Sequence, residues 1–113
     1  MFEDAKENED GILEIGPESL ARADSTVKIV DVRRDEEFVG ELGHIEGVEL
    51  ITLETDFESR LKTFDKDQTY VFVCRSGLRS SKAASLARAM GVKKVYNLAG
   101  GMMAWNQKGL PTK

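Results

Sequence analysis

Apolar positions along the chain gather into five short runs, and the stretches between them carry apolar residues at helical spacing. The runs are Ile12-Leu13-Glu14-Ile15, Val27 to Val32, Val48-Glu49-Leu50-Ile51, Tyr70-Val71-Phe72-Val73 and Val95-Tyr96-Asn97-Leu98. The second and fourth are nearly continuous and β-branched or aromatic, as expected of strands covered on both faces within a parallel sheet. Between them, Gly16-Pro17-Glu18 opens a helix with proline at its first position and acid in its first turn, ending near Ala23. Asp35 reads as the cap of a second, charged helix. Phe57 and Leu61 mark a third that runs to about Thr63. Ser80 to Met90 is rich in alanine and leucine and stops at Gly91, while Met102 to Lys108 closes the chain before Gly109 and Pro111. Strands alternating with helices predict an α/β fold around a mainly parallel sheet.

Composition narrows the class of protein. A chain of 113 residues fits one core, and its 41% hydrophobic and 32% charged residues lie in the globular range. No apolar run approaches the ~20 residues that span a bilayer. The first ten residues carry five acidic side chains against one lysine, unlike the basic start of a secretory signal, so the expected setting is the cytoplasm. Residues 1–10 read as a disordered acidic lead-in and residues 11–113 as the folded domain. A net charge of -4 argues against nucleic acid as a partner. One cysteine forbids an internal disulfide, and one cysteine with one histidine cannot supply a usual four-ligand metal site. No cofactor is expected.

The single cysteine stands where chemistry is expected. In open α/β sheets ligands bind beyond the carboxyl ends of the strands, and Cys74 ends the strand Thr69 to Val73 as Asp31 nearly ends another. The segment Cys74-Arg75-Ser76-Gly77-Leu78-Arg79-Ser80 leads into the alanine-rich helix, whose first N–H groups have no intrahelical partner. Gly77 permits a left-handed turn, and Arg75 and Arg79 are placed to face an anion from both sides. Lowering a thiol pKa from about 8.5 to about 6.5 raises its ionised fraction at pH 7 about 25-fold, yet the loss of nucleophilicity takes back a factor of about 8. The greater benefit therefore lies in a cradle that holds an anionic substrate in line with the sulfur. His44, in a loop marked by Gly40, Gly43 and Gly47, reads as a structural group rather than a base for Cys74. Arg33 reads as the ion-pair partner of Glu37, Asp31 as a support of the loop, and Trp105 as core.

Taken in order, Ile29-Val30-Asp31-Val32-Arg33, Glu37-Phe38, Gly43-His44-Ile45-Glu46-Gly47, Val71 to Gly77, Asn97 to Met102 and Ala104-Trp105 resemble the landmarks of the rhodanese-like domain in its single-domain sulfurtransferase form. The resemblance implies a five-stranded, mainly parallel sheet flanked by helices on both faces, with Cys74 as the catalytic residue carrying a persulfide. Arg75, Ser76, Gly77, Leu78 and Arg79 would bind substrate, their N–H groups around the sulfur and their arginines on a donor's oxyanion, with Asp31 and Arg33 supporting the loop. The implied partners are a small anionic sulfur donor such as thiosulfate and a thiophilic acceptor such as cyanide or a thiol. A sulfur-donor protein is the alternative source. Phosphatases of the dual-specificity cell-cycle type are similar but have Cys-x5-Arg. Here the arginine comes one residue sooner, and Ser80 stands where theirs would be. An arsenate reductase of the multi-cysteine kind lacks its second thiol here. Two departures from the family pattern lie away from the loop: Val48 stands where alanine is common, and the proline that often follows that strand is missing.

Overall fold

One sheet organises the chain, and the computed structural model describes residues 2–113. In chain order the elements are β1 (Lys6–Glu7), β2 (Leu13–Ile15), α1 (Pro17–Ala21), β3 (Val27–Asp31), α2 (Asp35–Phe38), β4 (Glu49–Leu50), α3 (Phe57–Leu61), β5 (Thr69–Val73), α4 (Leu78–Ala89), β6 (Lys94–Leu98) and α5 (Gly101–Gln107). The sheet order is β1-β2-β6-β5-β3-β4. Only the β1 and β2 pair is antiparallel, so the α/β fold with a mainly parallel sheet is the one observed.

Side-chain alternation along β5 divides the core in two. Tyr70 and Phe72 point to one face, where Phe57 and Leu61 of α3 and Ala83, Ala84 and Ala87 of α4 cover them. Val71 and Val73 point to the other, against Leu20 of α1 and Met102 and Trp105 of α5. A continuous apolar run is what this two-sided burial requires. The three alanines are fully buried, so α4 sits close to the strands and brings the turn before it to the sheet edge.

Three expectations are corrected. The sheet has six strands rather than five, and the sixth, β1, comes from the lead-in expected to be disordered. One amide accounts for it. Asn8 Oδ1 accepts the N–H groups of Asp10 and Ile12, closing a tight turn that lays Lys6 and Glu7 beside Glu14 and Leu13. Phe2 anchors the segment, its ring edge-on to Tyr96 at 4.9 Å. The second helix is also capped one residue earlier than expected, at Arg34, whose N–H donates to the Glu37 carboxylate at 3.2 Å. Among the described residues, no helix is long and apolar enough to cross a membrane.

Candidate active site

The parallel register sets Asp31 beside Val73, so β3 and β5 end together and the chain turns from Cys74 into α4 at that edge. The turn is made by Gly77, whose φ of 104° is left-handed and which caps α4. A Cβ there would stand 3.3 Å from the Gly100 nitrogen, so glycine is also what lets the loop lie against the β6–α5 connection. With Gly77 in this conformation its N–H donates to Cys74 Sγ at 3.1 Å. The Ser80 hydroxyl, one turn into α4, lies 3.2 Å from the same sulfur. Cys74 is 1% exposed and touches the apolar core, so the sulfur forms the floor of the loop, while Arg75, Ser76 and Leu78 stand around the mouth. A donor's terminal sulfur must enter the loop to reach it.

Beneath the sulfur, proton counting defines a second layer. Asn97 is fully buried on β6, and its Nδ2 donates to the Gly77 carbonyl at 2.9 Å and to Glu14 Oε2 at 2.7 Å. With both amide protons used, its Oδ1 faces Ser80, which donates to it. A hydroxyl has one proton. When Cys74 is a thiol, S–H can donate to Ser80 Oγ and Ser80 to Asn97. Once the sulfur is an anion, the single Ser80 proton has two acceptors, and the sulfur competes with the amide for it. Glu14 also accepts from Asn8 Nδ2 at 3.2 Å, and Asn8 donates to Ser81 of α4 at 2.9 Å, so the lead-in is tied into the same network.

The loop is fixed to α5 as well. Met102 N–H donates to the Cys74 carbonyl at 2.8 Å and Met103 N–H to the Arg75 carbonyl at 3.0 Å. This approach needs Gly101, with φ of 56°, because a Cβ there would lie 2.4 Å from the Cys74 carbonyl oxygen.

The arginines are arranged differently from expectation. Arg79 does not stand free before the loop: its two terminal nitrogens donate to Glu37 Oε1 and Oε2 at 2.7 and 2.8 Å. The hydrogen bond from Arg79 is the main reason that the Glu37 carboxyl falls from its ordinary 4.5 to about 2, against the opposing effect of burial. The same bond raises the Arg79 pKa. Glu37 is therefore not the ion-pair partner of Arg33. Arg33 turns its guanidinium back onto Asp31, with Nε 2.9 Å from Oδ1 and a terminal nitrogen 2.8 Å from Oδ2. This pair is wholly buried, and Arg33 further donates to the carbonyls of Gly43 and Glu37. Asp31 thus acts through Arg33, which ties the end of β3 to the segment carrying Glu37. Arg75 is exposed and borders a shallow recess of about 150 Å³ with Glu36, Glu37 and Glu41. His44 donates through Nδ1 to the Phe38 carbonyl at 2.9 Å and stacks on the Phe38 ring, a structural role away from the sulfur. Among the described residues, no three side chains of metal-binding type cluster together.

Sequence reasoning thus placed Cys74, Gly77 and the mouth residues at one site, but it did not single out Ser80, Asn97 or Glu14. Asn97 was visible as the first residue of a family landmark and as an amide interrupting an otherwise apolar strand, a polar residue that burial obliges to find partners, with no role at the sulfur assigned to it. Comparison with known proteins agrees with the geometry. The model of the rhodanese-like domain matches residues 17–108. "Putative sulfurtransferase YtwF" of Bacillus subtilis is 43% identical over 89 residues, covering 79% of this chain and 82% of that protein. "Putative sulfur carrier protein YrkF" of the same organism is 36% identical over 109 residues, covering 94% of this chain and 57% of that longer protein. A rhodanese-like domain protein of Staphylococcus aureus, solved by crystallography, superposes with a TM-score of 0.74 at 36% identity over 88% of this chain and 97% of its own. A cysteine at the floor of a six-residue loop, on a mainly parallel sheet whose sequence matches the family model over most of its length, places this chain in the rhodanese-like domain family.

Proposed function

We propose that the chain transfers sulfane sulfur through a persulfide on Cys74, from thiosulfate or a related donor to a thiophilic acceptor such as cyanide or a thiol. The observation that carries this reading is the Gly77 N–H aimed at a sulfur that sits inside the loop, with the Ser80 hydroxyl, whose one proton Asn97 also claims, 3.2 Å from it. The Cys74 thiolate attacks the outer sulfur of thiosulfate, the donor's S–S bond breaks, and sulfite leaves with the bonding pair. Three negative charges enter and three remain. The acceptor then attacks the outer sulfur of the persulfide and restores the thiolate. Arg75, Ser76, Leu78 and Arg79 would line the donor's path, Gly77 would hold the sulfur, and Asp31 and Arg33 would stiffen the approach from β3. The test is the intact mass after thiosulfate treatment. The gain of one sulfur atom on Cys74, lost in Cys74→Ser, is expected; no gain, or equal labelling of the variant, sinks the proposal.

A second reading is a relay module that takes its persulfide sulfur from a partner protein in the cytoplasm. The pairing of Arg79 with Glu37 supports it, since it removes a charge expected to hold thiosulfate. So does Leu78, an apolar side chain 80% exposed on the loop itself. Transfer from a cysteine desulfurase that is fast where thiosulfate:cyanide turnover is slow favours the relay; the reverse favours the small-donor enzyme.

A further inference from the structure

The mouth of the loop carries less positive charge than its two arginines suggest. Glu37 holds Arg79 by two parallel hydrogen bonds, the strongest geometry a guanidinium offers a carboxylate, and both side chains are partly buried, at 19% and 28% exposure. Arg75, exposed, makes no ion pair among the described residues. The recess beside it is walled by three carboxylates, Glu36, Glu37 and Glu41. Arg34 pairs with Glu36 at 3.1 Å, so Arg34, Arg75 and Arg79 against these three acids leave the mouth with no net positive charge, in a chain whose net charge is -4.

We propose that Glu37 sets the charge of the donor: by occupying Arg79 it leaves Arg75 as the one uncompensated cation of the loop, and so fits the site to donors of a single negative charge, a thiosulfonate or the persulfide of a small thiol, over dianionic thiosulfate. This rests on the persulfide reading above. The chemistry is the same for both classes. With a thiosulfonate the Cys74 thiolate attacks the terminal sulfur, the bond to the sulfonyl sulfur breaks, and a sulfinate leaves with the electron pair, two negative charges before and two after. Thiosulfate brings a third charge into the same mouth, and its sulfite must leave past the same carboxylates. Coulomb energy scales with the donor's charge, so a change of one unit at Glu37 acts about twice as strongly on the dianion.

Methanethiosulfonate and thiosulfate make the test, because they present the same terminal sulfur and differ by a methyl group in place of a charged oxygen. Second-order loading of Cys74 is followed by intact mass for the wild type, Glu37→Gln, and Glu37→Gln with Arg79→Gln. Glu37→Gln is expected to speed methanethiosulfonate loading about threefold and thiosulfate loading about tenfold, and the added Arg79→Gln to abolish both gains. In the unmodified protein, loading by thiosulfate is expected to rise with ionic strength more steeply than loading by methanethiosulfonate. A thiosulfate to methanethiosulfonate ratio that stays level or falls in Glu37→Gln overturns the proposal while leaving the persulfide intact. If Glu37→Gln does not fold, a salt dependence of the opposite sign overturns it. No sulfur on Cys74 from either donor overturns the persulfide reading itself.

Discussion

Replacing Gly101 by alanine tests the claim that α5 holds the sulfur loop in place. The new Cβ would stand 2.4 Å from the Cys74 carbonyl oxygen and 2.5 Å from that of Arg75, both backbone atoms of the loop with no flexible end to swing aside. Two costs add. A left-handed φ of 56° costs a residue with a Cβ roughly 1–2 kcal/mol, and forcing apart a packed contact costs typically about 1–3 kcal/mol. Relief by moving the loop would break the bonds from Met102 and Met103 N–H, each worth about 1 kcal/mol net. Gly101→Ala is thus expected to lose about 2–5 kcal/mol, a large part of the stability of a domain this size. Gly16→Ala is the control, since its φ is -80° and nothing lies within 4 Å of its Cβ. Urea denaturation at constant m gives the difference, and the rate of persulfide loading reads whether the loop has shifted. A Gly101→Ala protein within about 1 kcal/mol of wild type that loads at the wild-type rate would refute the reasoning.

Ser80→Ala removes the donor shared by Cys74 Sγ and Asn97 Oδ1 and should slow persulfide loading about tenfold, with a stability loss of about 1–3 kcal/mol from the unpaired Asn97 oxygen; Ser80→Thr should recover much of both, measured by intact mass and urea denaturation. Glu37, whose folded pKa is depressed from 4.5 to about 2, contributes stability that is present above pH 4.5 and lost as pH falls toward 2. At these exposures the contribution is about 1–3 kcal/mol. The urea midpoint of Glu37→Gln should therefore lie below wild type at pH 6 and converge with it near pH 2, and parallel curves would contradict the linkage. Arg33→Met alone leaves the Asp31 carboxylate buried without its partner and is expected to cost about 3–5 kcal/mol. Asp31→Leu with Arg33→Met should cost less than the single change, and thermal melts of both proteins decide it.

The sheet was legible because its apolar runs are short, β-branched and separated by turn residues, and Thr69–Val73 lies where the sequence predicts a strand. The placement of Cys74 followed from the same runs, since a strand's end is where the run stops. Side-chain partners were less legible. Arg33 and Glu37 are spaced as neighbours on a helix face, but α2 begins at Asp35, so Arg33 precedes the helix and is free to turn back to Asp31. Glu37 then meets Arg79, 42 residues away, a pairing no local rule supplies. Asn97 and Ser80 are 17 residues apart and join only because β6 pairs with β5 while α4 packs across both. The lead-in's strand was hidden by its charge: acidic composition predicts disorder, whereas one amide at Asn8 outweighs it by closing a turn.

The anchors on the loop also dictate which way its N–H groups point. Across a trans peptide the carbonyl of one residue and the N–H of the next point in opposite directions, and no peptide bond among the described residues is cis. The Cys74 carbonyl is held outward by Met102, so the Arg75 N–H turns toward the inside of the loop; the Arg75 carbonyl, held by Met103, does the same for Ser76 N–H. The Gly77 carbonyl, held by Asn97, turns Leu78 N–H in like manner, and Gly77 N–H already donates to Sγ. The outer sulfur of a persulfide would extend about 2 Å beyond Sγ, into the reach of these donors. Hydrogen bonds to a charged acceptor contribute about 1.5–3 kcal/mol each before desolvation is charged against them. Loading of Cys74 is therefore expected to stabilise the fold by about 2 kcal/mol, a rise in Tm of roughly 5–10 °C. The measurement compares melts of loaded and cyanide-stripped protein, and Asn97→Leu, which frees the Gly77 carbonyl, should lose part of the gain. If loading left Tm unchanged or lowered it, the N–H groups would not be gathered around the outer sulfur, and the cradle would have to be sought in the side chains at the mouth.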